Sequence, residues 1–134
     1  MNDATPLSEF LVISRGRWDE DAGPERIQSV IDAFYAWIEG EVAAGRMKIG
    51  QRLATGGRTV GRGFVSDGPF GEAKEIIGGY WFILARDLDE AQVFISRNPC
   101  IALGLFFEVR PIETVRASAF AVTNETAPSR GPTR

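Results

Sequence analysis

The chain of 134 residues contains no histidine. That absence removes Ser-His-Asp and Cys-His catalysis, histidine-ligated zinc and a histidine general base together. Any proton transfer must use Asp, Glu, Lys, Tyr or cysteine. A metal would need an oxygen-rich site of the kind that Mg²⁺ or Ca²⁺ takes, and no cofactor is expected. Cys100 is the only cysteine, so an intrachain disulfide is impossible. It follows Pro99 in apolar surroundings and reads as a buried structural thiol in a reducing, cytoplasmic setting. Apolar runs of membrane-spanning length are missing, as is a basic region leading into a signal-like apolar stretch. Strong charge of either sign is missing too. A net charge of −3 and a pI near 5.0 argue against nucleic acid or an anionic membrane as partner.

Acidic residues are absent from one long stretch. Between Arg46 and Arg62 the bases Arg46, Lys48, Arg52, Arg58 and Arg62 occur without a single Asp or Glu. Gly56-Gly57 predicts a tight turn between two short strands there. Such a basic hairpin either attracts an anionic group of a ligand or forms a solvated edge that resists strand pairing. The spacing Gly56-x₄-Gly61 is not a phosphate loop, because no Lys-Ser/Thr pair and no helix follow.

What is present is ordinary for one soluble domain, with 44% hydrophobic and 25% charged residues. Met1 to Glu9 reads as a flexible lead-in. Residues 10–115 form the domain, and residues 116–134 an extension whose part from Thr123 on is polar, aperiodic and predicted disordered. Phe10 to Ile13 is a buried strand. The loop Arg15 to Asp21, with Trp18, is a pocket wall or lid, or a plain connection. Pro24 starts a helix whose apolar residues recur at Ile27, Val30, Ile31, Phe34, Ile38 and Val42, with Gly45 as its stop. Tyr35 and Trp37 fall off that stripe. Tyr80 to Ala85 is apolar on both faces and predicts a central strand. Asp87 and Glu90 form a capping box for a second helix over Leu88, Ala91, Phe94 and Ile95, which ends before Pro99. Leu105, Phe107 and Val109 mark a half-buried last strand. The order β-α-β-β-β-α-β predicts an α+β fold, one mainly antiparallel sheet with both helices on one face.

The stretch Ser66 to Tyr80 joins turn chemistry, Asp67-Gly68-Pro69-Phe70, to the charged residues Glu72, Lys74 and Glu75 and then to Gly78-Gly79-Tyr80. Asp, Gly and Pro each favour the turn for a separate reason. A charged loop between aromatic strands is a common seat of function, while a solvated connection is the plainer reading. This spaced set resembles the signature of the DGPF, or YCII-related, family. The similarity extends from the first strand through Asp87 to Ala91 and Glu108 to Ile112. The resemblance implies a ferredoxin-like sandwich that dimerises into an α/β barrel. Some relatives resemble lyases or dehydrochlorinases of aromatic compounds that use a His-Asp pair; here Asn98 stands where many members carry histidine.

Two functions remain in view. In the first, a small lyase- or isomerase-like enzyme uses Asp67 as acid or base on a polar or aromatic metabolite. Glu72, Lys74, Glu75, Arg62, Tyr80 and Trp81 then hold the substrate. In the second, the chain is a non-catalytic ligand-binding or protein-interaction module linked to transcriptional regulation. Both expect a homodimer, because two helices cover one face of a sheet whose central strand is apolar on both.

Overall fold

The computed structural model describes residues 6–67 and 76–128, and of residue 67 the backbone alone. Four strands form the main sheet: β1 (Ser8–Arg15), β2 (Met47–Arg52), β5 (Ile77–Ala85) and β6 (Phe106–Pro111). Their order is β2-β5-β1-β6, with every neighbouring pair antiparallel. Helix α1 (Pro24–Ala43) joins β1 to β2, and α2 (Leu88–Ile95) with a 3₁₀ turn (Pro99–Leu103) joins β5 to β6. This is the ferredoxin-like arrangement, a split β-α-β unit doubled around one antiparallel sheet. A separate two-stranded hairpin, β3 (Arg58–Gly61) with β4 (Phe64–Asp67), is inserted between β2 and β5.

The alternation of β1 and β5 sorts their residues between two layers. Phe10 and Val12 pair with Ile83 and Trp81, and all four are buried beneath the helices. Ile38 of α1 and Ala91, Phe94 and Ile95 of α2 close the same core. A run of edge-on and tilted rings ties the layers together. Phe94 meets Trp37, Trp37 meets Phe34, Phe34 meets Trp81 and Trp81 meets Phe107, with centroids 5.4–6.3 Å apart. Trp37 therefore belongs to the packing face of α1, while Val42, expected on the buried stripe, is exposed.

On the other face of the sheet stand Leu11, Ile13, Tyr80, Phe82 and Leu84, all half-buried with no helix over them. Ion pairs rim this face: Arg15 Nε to Glu108 Oε1 at 2.7 Å, Arg110 Nη1 to Glu108 Oε2 at 2.9 Å, and Lys48 Nζ to Glu9 Oε2 at 2.8 Å.

Helix ends follow their chemistry. Gly45, at φ +77°, lets the chain turn out of α1. The Asp87 carboxylate accepts from Glu90 N at 2.8 Å. Glu90 reaches back one residue further than a capping box requires and accepts from Arg86 N at 2.9 Å.

The expected turn at Gly56-Gly57 does not join a hairpin. Strand β2 pairs instead with β5, a partner distant in sequence, with a register shift between Ile49 and Gln51. Gly50 sits in that shift, where a Cβ would run into the Tyr80 carbonyl. The hairpin that does form turns at Arg62-Gly63, with Gly63 at φ +77°. One expected strand thus becomes two, and four strands rather than three separate the helices. No helix among the described residues is long and apolar enough to cross a membrane.

Candidate functional site

A cavity of about 340 Å³ opens between α1 and the sheet, at the end where β2 leaves and β5 enters. Its position follows from the sequence around it. Gly78 and Gly79, the second and third residues of strand β5, line the cavity without side chains, and Gly79 lets the strand approach β2 so closely that a Cβ there would lie 2.7 Å from the Gln51 carbonyl oxygen. The β1–α1 loop is pinned by Asp19 N donating to Leu103 O at 2.8 Å. Gly104, at φ +108°, permits that approach; a Cβ there would lie 2.5 Å from Asp19 Oδ1. The pinned loop brings Trp18 to the cavity wall, so the loop acts as a wall and not as a plain connection.

From α1 come Ile31, Phe34, Tyr35 and Ile38, at the spacing of one helical face and its flank. From the sheet come Ser14 and Trp81, and from the 3₁₀ turn Cys100. Polar groups are few and stand toward the rim: Glu39 on α1, and Gln51 and Arg52 at the end of β2. A mostly apolar and aromatic enclosure with sparse polar groups is the usual make-up of a small-molecule site.

Two buried groups limit the chemistry available. The Cys100 thiol is pushed up from 9.0 to about 11 by burial. Its Sγ lies 4.0 Å from the Val30 carbonyl. It stays protonated at neutral pH and is no thiolate nucleophile. Trp81 Nε1 is sealed from solvent and has no hydrogen-bond partner, so the ring meets the cavity through its carbon surface. Asn98 caps the 3₁₀ turn, its Oδ1 accepting from Cys100 N at 2.9 Å, and its buried Nδ2 has no partner. The residue in the position of interest thus supports Cys100 by a local cap. Among the described residues no group of three or more carboxylates or cysteines is placed to hold a metal ion.

The expected site residues divide. Trp81 is in the cavity wall. Tyr80 borders the cavity, while its ring stacks edge-on against Phe82, 6.0 Å away, on the uncovered face. Arg62 lies at the tip of the inserted hairpin and outside the lining; Arg52 is the arginine at the rim. Asp67 ends β4 opposite Arg58 in register. Glu72, Lys74 and Glu75, with Gly68-Pro69-Phe70, lie outside the described residues. The sequence reading missed Phe34, Ile38, Glu39 and Cys100 as cavity residues. The signal that could have found some of them was Tyr35, an aromatic residue on α1 beside, and not on, its apolar stripe.

Comparison with known proteins places the chain in a family. The YCII-related domain matches residues 9–115. No curated protein matches. Among solved structures the chain is similar to the 5-chloro-2-hydroxyhydroquinone dehydrochlorinase (TftG) of Burkholderia phenoliruptrix AC1100, in complex with 2,5-dihydroxybenzoquinone. That likeness has 21% identity, 75% coverage of this chain, 90% of that one and a TM-score of 0.40.

Proposed function

This chain belongs to the YCII-related domain family, and we propose that it binds and converts a small, largely apolar metabolite in the cavity beneath α1. The observation that carries the reading is the cavity itself, about 340 Å³ walled by Trp18, Phe34, Tyr35 and Trp81. That volume lies within the range of small-molecule sites. Proton transfer is assigned to a carboxylate, in a chain that has no histidine and whose one thiol is held protonated. We assign it to Asp67, in the signature, with Arg52 and Lys74 as groups that hold an anionic substituent. The molecule acts as a homodimer through the uncovered face of the sheet, where Leu11, Ile13, Phe82 and Leu84 form a continuous apolar surface within a rim of ion pairs.

Binding is tested by thermal shift against a panel of small aromatic alcohols and acids. A ligand at a hundred times its Kd stabilises the fold by about 2.7 kcal/mol. Ser14→Phe, which fills the cavity from β1, removes the shift and leaves the protein folded; a shift that survives it places the ligand elsewhere. Catalysis is tested by Asp67→Asn with any compound that is turned over. The variant keeps ligand binding and loses about 10²-fold or more in rate. Full turnover by the folded variant leaves a binding module, the second reading.

A further inference from the structure

The cavity beneath α1 carries one charge of each sign. Among the described residues that line it, Glu39 is the one acid and Arg52 the one base. They stand on opposite walls, Glu39 on α1 and Arg52 at the end of β2. Both are exposed at the mouth. Neither side chain makes a hydrogen bond or ion pair with a described residue, so the two are not paired with each other. Neighbouring charges do pair: Glu41 of α1 with Arg46 at 2.7 Å, and Lys48 of β2 with Glu9 at 2.8 Å.

The direction of Arg52 is built into the strand. Ile49 stands opposite Trp81, Gln51 opposite Tyr80 and Arg52 opposite Gly79. Residues opposite one another share a face of the sheet. Regular alternation from Ile49 would therefore send Arg52 to the uncovered face. The extra residue at Gly50 turns it back beneath α1, on the side of Trp81. Only glycine fits at that shift, since a Cβ on Gly50 would lie 2.1 Å from the Tyr80 carbonyl oxygen. Across from Arg52, Gly79 has no side chain, and a Cβ there would come within 3.2 Å of the Arg52 Cα. Two glycines thus aim one arginine over the cavity. On the other wall Glu39 follows Tyr35 by one helical turn, and both border the same space.

We propose that the ligand of this cavity is a small zwitterion of the apolar amino-acid class. Its apolar body lies between Phe34 and Trp81, and its head lies at the mouth, the carboxylate on Arg52 and the ammonium on Glu39. Tyr35 supplies an aromatic surface for the same cation. A carboxylate alone meets Arg52 but is repelled by Glu39, and an amine alone meets the reverse. A head with both signs satisfies both walls and is selected against either half. The cavity of about 340 Å³ has room for about eleven water-sized groups at roughly 30 Å³ each, enough for an isobutyl or benzyl body with part of its head. The inference rests on the reading of the cavity as a small-molecule site and narrows its ligand; it uses neither Asp67 nor a second copy.

The test is calorimetric titration of the full chain with two sets of compounds. L-phenylalanine, 3-phenylpropanoate and 2-phenylethylamine share one body and differ in the head; L-leucine, 4-methylpentanoate and 3-methylbutylamine form the second set. In at least one set the amino acid should bind about tenfold or more tighter than either analogue, the scale of a hydrogen bond to a charged group. Glu39→Gln should erase its preference over the carboxylate analogue, and Arg52→Gln its preference over the amine. Both variants alter exposed side chains and should stay folded. Equal weakening of all three compounds by either variant overturns the inference. Amino acids that bind no tighter than their analogues, with all binding lost in Ser14→Phe, overturn it too and leave the cavity reading standing. If neither these compounds nor the aromatic alcohols and acids bind, or if binding survives Ser14→Phe, the cavity reading fails and this inference with it.

Discussion

The two faces of one sheet obey the same alternation and end in different environments. Odd and even positions of β5 are both apolar, yet Trp81, Ile83 and Ala85 are buried while Tyr80, Phe82 and Leu84 keep part of their surface in water. The difference lies in what covers them and not in the strand. Hydrophobic patterning specifies that a strand is central, but the number of helices available decides how many faces a single chain can close. The helix-covered face should respond to substitution with folding free energy alone. The other face should respond with a term that depends on protein concentration, if a second copy closes it.

The largest expected effect is on the covered face. Ile83 is fully buried between Phe10 and Met47 on the neighbouring strands. Ile83→Ala should cost about 2–5 kcal/mol, a fall in Tm on the order of 10–20 °C, at every protein concentration. Leu84→Ala, one residue on and facing the other way, should cost about 1 kcal/mol or less in a dilute monomer. Its Tm deficit should grow with protein concentration, because the wild type gains from association. Equal, concentration-independent losses in a melting series would break the comparison.

Next in size is a pH effect beneath the helices. Burial raises the Cys100 thiol from 9.0 to about 11. The raised value means that the unfolded chain ionises first as pH climbs. Stability is therefore full below about pH 9 and declines as pH rises toward 11, by roughly 2–3 kcal/mol at 1.36 kcal/mol per unit. Cys100→Ala should remove that decline while costing some packing at pH 7. Denaturant midpoints between pH 8 and 11 check it, and a parallel decline in the variant would assign the effect to other groups.

A smaller effect belongs to the helix that completes the covering layer. Asp87→Ala removes the acceptor for Glu90 N, and should destabilise by about 1 kcal/mol. Asp87→Asn, which keeps an acceptor oxygen, should recover most of it; if both lose alike, the charge at the helix end and not the cap is responsible.

These contrasts also show what the sequence makes legible. Both helices, the central strand and Asp87 as a cap are local matters of period and end chemistry, and they read correctly. The error over Gly56-Gly57 is of another kind. Two adjacent apolar-basic segments with a glycine pair between them look like a hairpin, but β2 gains more by pairing with β5, and no local signal reports a partner thirty residues away. The turn fell instead to Arg62-Gly63, where Gly63 takes a positive φ and a missing side chain at Gly61 makes room for Phe64. The cavity was half legible. Trp81 stood out beside the signature, but Trp18, Phe34 and Cys100 come from three segments that only the tertiary fold brings together, and Gly104 is what admits the first of them.

The smallest expected effect probes the rim of the uncovered face. Glu108 accepts from Arg110 and from Arg15, and these two hydrogen bonds, Arg110 first, hold its carboxyl below the ordinary 4.5 against a small opposing push from burial. A lowered value means that the folded state keeps the carboxylate longer than the unfolded chain does as acid is added. The stabilisation is thus present above about pH 4.5 and fades as pH falls through the folded value. Because the carboxylate and both guanidinium groups remain partly in water, it amounts to about 1 kcal/mol or less. Glu108→Gln should be slightly less stable than the parent at pH 7, and the gap should close at pH 3 and shrink in high salt. A gap that persists unchanged at pH 3 would mean that the side chain acts by packing. If the gap at pH 7 instead widens as protein concentration rises, the ion pair is sealed by association, and the rim of this face lies inside a dimer.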